Sequence, residues 1–257
     1  MPRALVTGAG HRLGRAMSVY LASRGYDVAV HYSSSAAGAA ETVAECEAQG
    51  HRAVALQADL LDDDATRALF AAARTALGGD ITVLVNNASI FEYDTLASAT
   101  DESWHRHIGS NLRAPFLLSQ AMAAQGISPA SDGEPLAAGL IVNMVDQRVN
   151  KLTPEFMTYT IAKMGLWAMT QTTARALAPA IRVNAIGPGP TLQGSRQSAA
   201  HFAKQRAATI LERGANRSDI TGALGYFLDA PSVTGQLLCI DGGQHLAWET
   251  PDVLGVE

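Results

Sequence analysis

The sequence predicts a single doubly wound α/β domain built on a mainly parallel seven-stranded sheet. Three observations carry this reading. Short apolar runs alternate along the whole chain with longer segments in which apolar residues recur at helical spacing. The first apolar run ends in the glycine turn GAGHRLG and is followed at once by a helical pattern. No repeat, low-complexity block or Pro/Gly/Ser-rich linker divides the 257 residues, a length that a single α/β domain of about 250 residues accommodates.

Arg3 to Thr7 forms the first strand, and Leu13, Met17, Tyr20 and Leu21 mark the helix after it. Between them Gly8 and Gly10 permit a tight turn and close backbone approach. A helix starting near Leu13 then points its first NH groups at a pyrophosphate. Gly8, Gly10 and Gly14 are spaced one residue wider than the GxGxxG fingerprint. The second strand, Asp27 to Tyr32, runs into Ser33, Ser34 and Ser35 instead of an acidic residue. Folds that bind NAD place Asp or Glu about twenty residues after the glycine turn to hold the ribose 2'-hydroxyl, whereas a 2'-phosphate needs donors and positive charge. Arg12, His31, Tyr32 and Ser33 meet that need, so NADPH is the expected cofactor. Ser35 can also cap the next helix.

His51 to Gln57 is the third strand, followed by Asp59, Leu60 and a helix start made acidic by Asp62, Asp63 and Asp64. Ile81 to Val85 is the fourth, running into Asn86, Asn87, Ala88 and Ser89, with Phe91 beyond, placed either over a nicotinamide or in the core. Asn111 lies in a helical pattern after Asp101 to Gly109, and Gly126 to Gly139 reads as a surface loop. The fifth strand, Ile141 to Val145, ends at Asp146. A long helix is expected from Thr153, with Thr153 as its cap, Pro154 in its first turn and Ala178 before the stopping Pro179. Ile181 to Ile186 is the sixth strand and leads into Pro188 and Gly189. Leu192 to Gly214, with Arg196, Lys204, Arg206 and Arg213, is either a substrate lid around residues 190–215 or a solvated basic face. A helix over Asp219 to Leu228, a strand over Gln236 to Ile240 and the turn DGGQ close the fold, leaving Trp248 to Glu257 as a tail.

A hydrophobic fraction of 47% supports a sizeable core. The net charge of -5 and pI near 5.8 argue against nucleic acid or an anionic membrane as partner. No apolar run nears the ~18 residues of a membrane span, and Gly8 and Gly10 interrupt the N-terminal run before a secretory core forms, so a cytoplasmic location is expected. Cys46 and Cys239 show no CxxC or metal-ligand spacing and are expected to be reduced and structural. His105 and His107, two residues apart, do not share a helix face and are expected at the surface, and no metal site is expected.

Tyr159 and Lys163 are the chemical centre. Four apart on a helix, they share a face. A cation ~4 Å from a phenol at an effective dielectric of ~20 favours the phenolate by up to ~4 kcal/mol, which lowers the expected pKa of Tyr159 towards neutrality.

Tyr-x-x-x-Lys, thirteen residues after the end of the fifth strand, resembles the short-chain dehydrogenase/reductase family, as does the widened glycine turn. The resemblance covers nearly the whole chain and implies a Rossmann-type fold and a homotetramer. It also implies a proton-handling site of Asn, Ser, Tyr and Lys, carried here by Asn111, Asp146, Tyr159 and Lys163. Asp146 replaces the serine. NMVD followed by Tyr-x-x-x-Lys looks like the pteridine reductase branch, and Arg12, at the turn's second glycine, is a variant of the same branch. By the same resemblance Asp59 receives the adenine amino group, Asn87, Ala88 and Ser89 support the cofactor crevice, and Pro188 and Gly189 form its nicotinamide-side turn. Asn111 holds a water through its backbone. The activity implied is NADPH-dependent reduction of a pterin, such as a dihydropterin, biopterin or dihydrofolate, with Phe91, Ser89, Arg12 and Tyr159 facing the substrate. A carbonyl or sugar-alcohol oxidoreductase is the alternative, for which serine is expected at Asp146. A sensor without turnover is another, and loss of Tyr159 or Lys163, which would favour it, has not occurred.

Overall fold

The computed structural model describes residues 1–194 and 197–249. Seven parallel strands form one sheet: β1 (Arg3–Val6), β2 (Asp27–Tyr32), β3 (Ala53–Gln57), β4 (Val83–Asn86), β7 (Gly139–Met144), β8 (Ile181–Pro188) and β9 (Leu237–Ile240). Their order is β3-β2-β1-β4-β7-β8-β9. The direction of winding reverses between β1 and β4. Such a reversal opens a crevice at the carboxyl ends of the strands, where ligands of this architecture bind.

Strand side chains alternate between the two faces. Ala4, Val6, Val28, Val30, Val83 and Val85 bury against α1 (Arg12–Ser23) and α8 (Arg217–Asp229) through Met17, Leu21, Leu224 and Phe227. Leu5, Ala29, Leu84 and Ile141 bury on the other face, against α3 (Asp63–Leu77), α5 (Ala114–Ala123) and α6 (Met157–Leu177) through Leu69, Phe70, Leu118, Met122 and Ala174. Covering both faces explains why the central strands are apolar throughout rather than alternating. The chain also has α2 (Ala36–Glu47), α4 (Asp101–Ile108) and α7 (Ala199–Ala207).

Several local expectations meet their structures directly. Asp62 caps α3 by accepting from Asp64 N and Ala65 N, Asp63 and Asp64 fill its first turn, and Gly78 closes it at φ 72°. Asp59 stands outside this cap, with its Oδ1 accepting from Leu61 N at 3.0 Å.

Others differ. The expected surface loop before β7 carries a small antiparallel hairpin, β5 (Ala130–Ser131) with β6 (Pro135–Leu136), turned through Gly133 at φ 120°. The long helix starts at Met157, later than the expected Thr153. A single 3-10 turn, Gln147–Asn150, comes first, capped by Asp146. Phe156, in the left-handed region at φ 56°, then breaks the run, and the Thr153 hydroxyl bonds Arg148 instead of a helix end. His107 is fully buried, not at the surface, because α4 turns that side chain inward toward Thr158. Arg196 and residues 250–257 of the expected tail lie outside the described residues.

Candidate active site

The glycine turn after β1 and the loop after β4 are locked together. Thr7 Oγ1 accepts from Asn87 N and Ala88 N at 2.9 Å, and Asn87 Nδ2 donates to Thr7 O at 2.8 Å and Gly8 O at 3.1 Å. No side chain has room there. A Cβ on Gly8, at φ 61°, would lie 2.9 Å from Ala88 Cα, and one on Gly14 would lie 2.3 Å from Gly8 O. The first turn of α1 has no side-chain cap and no acidic residue. Its free NH groups, beside a glycine-lined approach, suit a pyrophosphate and fit a dinucleotide.

These elements open onto a cavity of about 670 Å³. Gly8, Arg12, Leu13, Gly14, His31, Tyr32 and Ser33, from the glycine turn and the end of β2, line it. So do Asp59, Leu60, Asn87, Ala88 and Ser89 after β3 and β4, and Phe91, Asp146, Tyr159, Lys163, Pro188 and Gly189. Asn111 stands behind this wall. Arg106, which the sequence reading had not singled out, also lines the cavity, paired with Glu92 at 2.8 Å.

Two expectations at the cofactor end change. His31 is buried, and both ring nitrogens are engaged: Nδ1 accepts from Gly8 N at 3.1 Å and Nε2 lies 3.2 Å from Ala58 O. Burial pushes its pKa down, so the ring is neutral and holds the turn instead of supplying charge for a phosphate. Arg12 occupies a left-handed position, φ 55°, where glycine is favoured. Its guanidinium reaches the edge of the expected lid and donates to Gln193 O at 2.9 Å and Leu192 O at 3.2 Å. Within that segment Arg206 is spent on Pro190 O, Gly214 O and Ala215 O.

At the chemical end, β7 delivers Asp146 and the first turn of α6 delivers Tyr159. The Tyr159 hydroxyl donates to Asp146 Oδ2 at 2.9 Å, while Asp146 Oδ1 accepts from Arg148 N at 2.8 Å. Lys163, only 2% exposed, donates to Met144 O at 2.7 Å and lies 5.7 Å from the Tyr159 ring centroid. The expected phenolate is therefore corrected. Burial first, and the Asp146 carboxylate second, raise the Tyr159 pKa well above its ordinary value. Burial likewise raises the Asp146 carboxyl, against the hydrogen bonds from Arg148 and Tyr159. Burial pushes Lys163 down to about 8. Tyr159 thus keeps its proton, with a carboxyl beside it able to pass another.

Asn111 lies in a π-helical turn, Gly109–Arg113, and its side chain clasps Ile90: Oδ1 accepts from Ile90 N and Nδ2 donates to Ile90 O, both at 2.8 Å. Such turns displace backbone carbonyls from regular pairing, often at functional sites. Phe91 is 44% exposed, so it is a wall of the cavity and not core. It stacks on Phe156, centroids 4.3 Å apart at 11°, and meets Tyr159 edge-on at 4.7 Å. Phe156 escaped the sequence reading, although an aromatic three residues before Tyr159 was a usable signal.

The short chain dehydrogenase model matches residues 2–204. The chain belongs to the short-chain dehydrogenase family. Among solved members, it is similar to FolM alternative dihydrofolate reductase 1 from Brucella canis, complexed with NADP, at 40% identity and a TM-score of 0.90, covering 98% of this chain and 97% of that one. A blue fluorescent protein from a metagenomic library, in complex with NADPH, matches at 32% identity and a TM-score of 0.83, covering 94% and 97%. Among characterised sequences, the 3-oxoacyl-[acyl-carrier-protein] reductase FabG of Staphylococcus aureus is 30% identical over 248 residues, 95% of this chain and 98% of that protein. A dihydrofolate reductase, a blue fluorescent protein and a 3-oxoacyl reductase are thus all similar to it. No helix among the described residues is long and apolar enough to cross a membrane.

Proposed function

We propose that this chain is an NADPH-dependent reductase of a pterin: a dihydropterin, biopterin or dihydrofolate. The observation that carries the reading is the bond from Tyr159 to Asp146, 2.9 Å long and in the wall of the cavity. A flat heteroaromatic ring offers nitrogens that need a proton as the ring is reduced. Tyr159 keeps its proton until that moment and gives it to the ring; Asp146, once protonated from solvent, returns a proton to Tyr159 with the sense of the hydrogen bond reversed, a relay a serine hydroxyl performs less well. Phe91 supplies a face for the ring, a stacking contact worth ~0.5 to 1.5 kcal/mol beyond area burial. Arg12 and Ser89 line the same cavity and could reach the ring or the cofactor phosphates beside it, and Asn111 holds the Ile90 backbone beside Phe91.

The cofactor is NADPH; when bound, its dihydronicotinamide supplies the hydride. Gly8, Leu13 and Gly14 would face the pyrophosphate, Asp59 and Leu60 the adenine, and Arg12, Tyr32 and Ser33 the 2'-phosphate. Asn87, Ala88, Pro188, Gly189 and Lys163 would face the nicotinamide half. The segment around residues 190–215 would close over the substrate, with Arg12 holding its first residues. Similarity to a dihydrofolate reductase at 40% identity supports the substrate class. The reading includes a cytoplasmic homotetramer; the apolar side chains of Phe116, Ile161 and Met164, exposed on α5 and α6, suit contact with a second copy.

A 3-oxoacyl or other carbonyl substrate is the second reading, favoured by the similarity to FabG. A panel of pterins, dihydrofolate, acyl thioesters and simple ketones with saturating NADPH decides between them. Turnover of carbonyl compounds with none of any oxidised or dihydro pterin rejects the pterin reading.

A further inference from the structure

Under the first turn of α6 lies a group of buried polar side chains that the reaction above does not use: Asp94, His107 and Thr158, each at most 2% exposed. His107 Nε2 lies 3.1 Å from Glu92 N. A backbone N–H can only donate, so Nε2 presents a lone pair and the ring is neutral, with its proton on Nδ1. That proton goes to Thr158 Oγ1, 2.6 Å away. The Thr158 hydroxyl must then donate onward, to Asp94 Oδ2. Asp94 completes the join: Oδ1 accepts from Thr158 N at 3.2 Å, and its backbone oxygen accepts from Phe156 N at 2.7 Å and Met157 N at 3.4 Å. One donor at the start of the chain therefore fixes the direction of every proton along it.

Both ends of this chain bear on the cavity. Glu92 adjoins Phe91, and Thr158 adjoins Tyr159, whose ring meets the His107 ring edge-on at 6.0 Å. We propose that His107 is a positioning residue for the substrate site, its neutral Nδ1–H form holding the Phe91 segment and the first turn of α6 in one register. The proposal rests on the pterin reading only for the choice of substrate. Protonation would place an Nε2–H opposite the Glu92 N–H, where two donors face each other, and the Phe91 segment would lose its tie. The charged groups around the ring act in both directions. Burial opposes the imidazolium most, Arg106 and Lys163 oppose it, and Asp94 and Glu92 favour it, with a net lowering from 6.5. The tie is thus intact near neutral pH and is lost as pH falls through a midpoint below the ordinary histidine value.

The test pairs two variants with a spectrum. In the unmodified protein the KM for 7,8-dihydrobiopterin should rise about fivefold or more as pH falls from about 7 through the His107 midpoint, which the imidazole NMR titration locates, the weight of one hydrogen bond. His107→Gln offers a carbonyl and an amide without titrating, and should make that KM flat over the same range. His107→Phe keeps the ring and removes both bonds; it should raise KM about twenty-fivefold at neutral pH, two bonds' worth, while the NADPH dissociation constant stays within about twofold. Long-range nitrogen–proton NMR of the imidazoles should show one histidine with Nδ1 protonated and Nε2 bare, a signal absent from His107→Gln. This arm needs no substrate, so its failure is distinct from failure of the pterin reading, in which case the pH series is run with an acetoacetyl thioester. An Nε2–H tautomer at His107, or the same KM profile in His107→Gln as in the unmodified protein, overturns the proposal. If His107→Phe unfolds, the glutamine variant and the spectrum still decide.

Discussion

Lys163 and Tyr159 share a helix face, yet the ammonium bonds Met144 O and the phenol bonds Asp146. Their spacing was legible in the sequence, because i and i+4 positions follow from helix geometry alone. The direction of their titration was not, because it depends on burial supplied by β7, α4 and the Phe91 segment. A protonated tyrosine suits reduction, where the enzyme must deliver a proton. Tyr159→Phe should lower kcat by about a hundredfold or more, with little effect on NADPH affinity. Single-turnover rates check this, and retention of most activity would assign the proton to another group. The pH profile follows from Lys163, whose pKa is lowered to about 8. Its ammonium is present below that value and lost above it, so kcat/KM should fall as pH rises through about 8. A profile flat to about pH 10, the ordinary lysine region, would remove Lys163 from that limb.

At the scale of elements, α6 joins two kinds of support. A buried ladder runs from Asn86 Nδ2 to Asn143 Oδ1, and from Asn143 Nδ2 to Thr170 Oγ1, at 2.8 and 2.9 Å, fixing the helix to β4 and β7. Its N-terminus has no side-chain cap of its own; Asp94, distant in sequence, accepts from Phe156, Met157 and Thr158. This explains the false start at Thr153. Local cap rules read neighbours, and here the cap comes from another segment. Burial alone would push the Asp94 carboxyl up, but hydrogen bonds from Thr158 and Ser103 hold it below the ordinary carboxylate range. A depressed carboxylate contributes stability that is present above its unfolded pKa and lost as pH falls through the folded one. Asp94→Ala should cost about 2 kcal/mol, the sum of a lost cap and orphaned donors. For a domain of this size that lowers Tm by roughly 4 to 8 °C. Calorimetry near neutral pH measures it, and an unchanged Tm would show that water replaces the carboxylate at no cost.

The whole molecule is a sheet whose winding reverses beside a glycine turn, and that much was readable because parallel strands, helix spacing and Gly8 to Gly14 agree with one another. The role of the cofactor's far end was harder to read. His31, which looked like a phosphate donor, is locked inside the turn, and Arg12 divides its guanidinium between the lid edge and the cavity. On the proposed reading, phosphate recognition would fall to the remaining donors of Arg12 and to Tyr32 and Ser33, with no carboxylate directly after β2. NADPH should bind at least about tenfold tighter than NADH, a difference of about 1.4 kcal/mol. Because a ligand that binds only the folded state stabilises it by mass action, NADPH at about a hundred times its dissociation constant should add about 2.7 kcal/mol. The same concentration of NADH should add only about 1.4 kcal/mol, leaving Tm lower by roughly 3 to 5 °C. Arg12→Ala should shrink that gap while leaving the NADH shift in place. Equal shifts for the two cofactors in the unmodified protein would withdraw Arg12, Tyr32 and Ser33 from the phosphate and leave the pyrophosphate cradle of Gly8 and Gly14 as the main source of affinity.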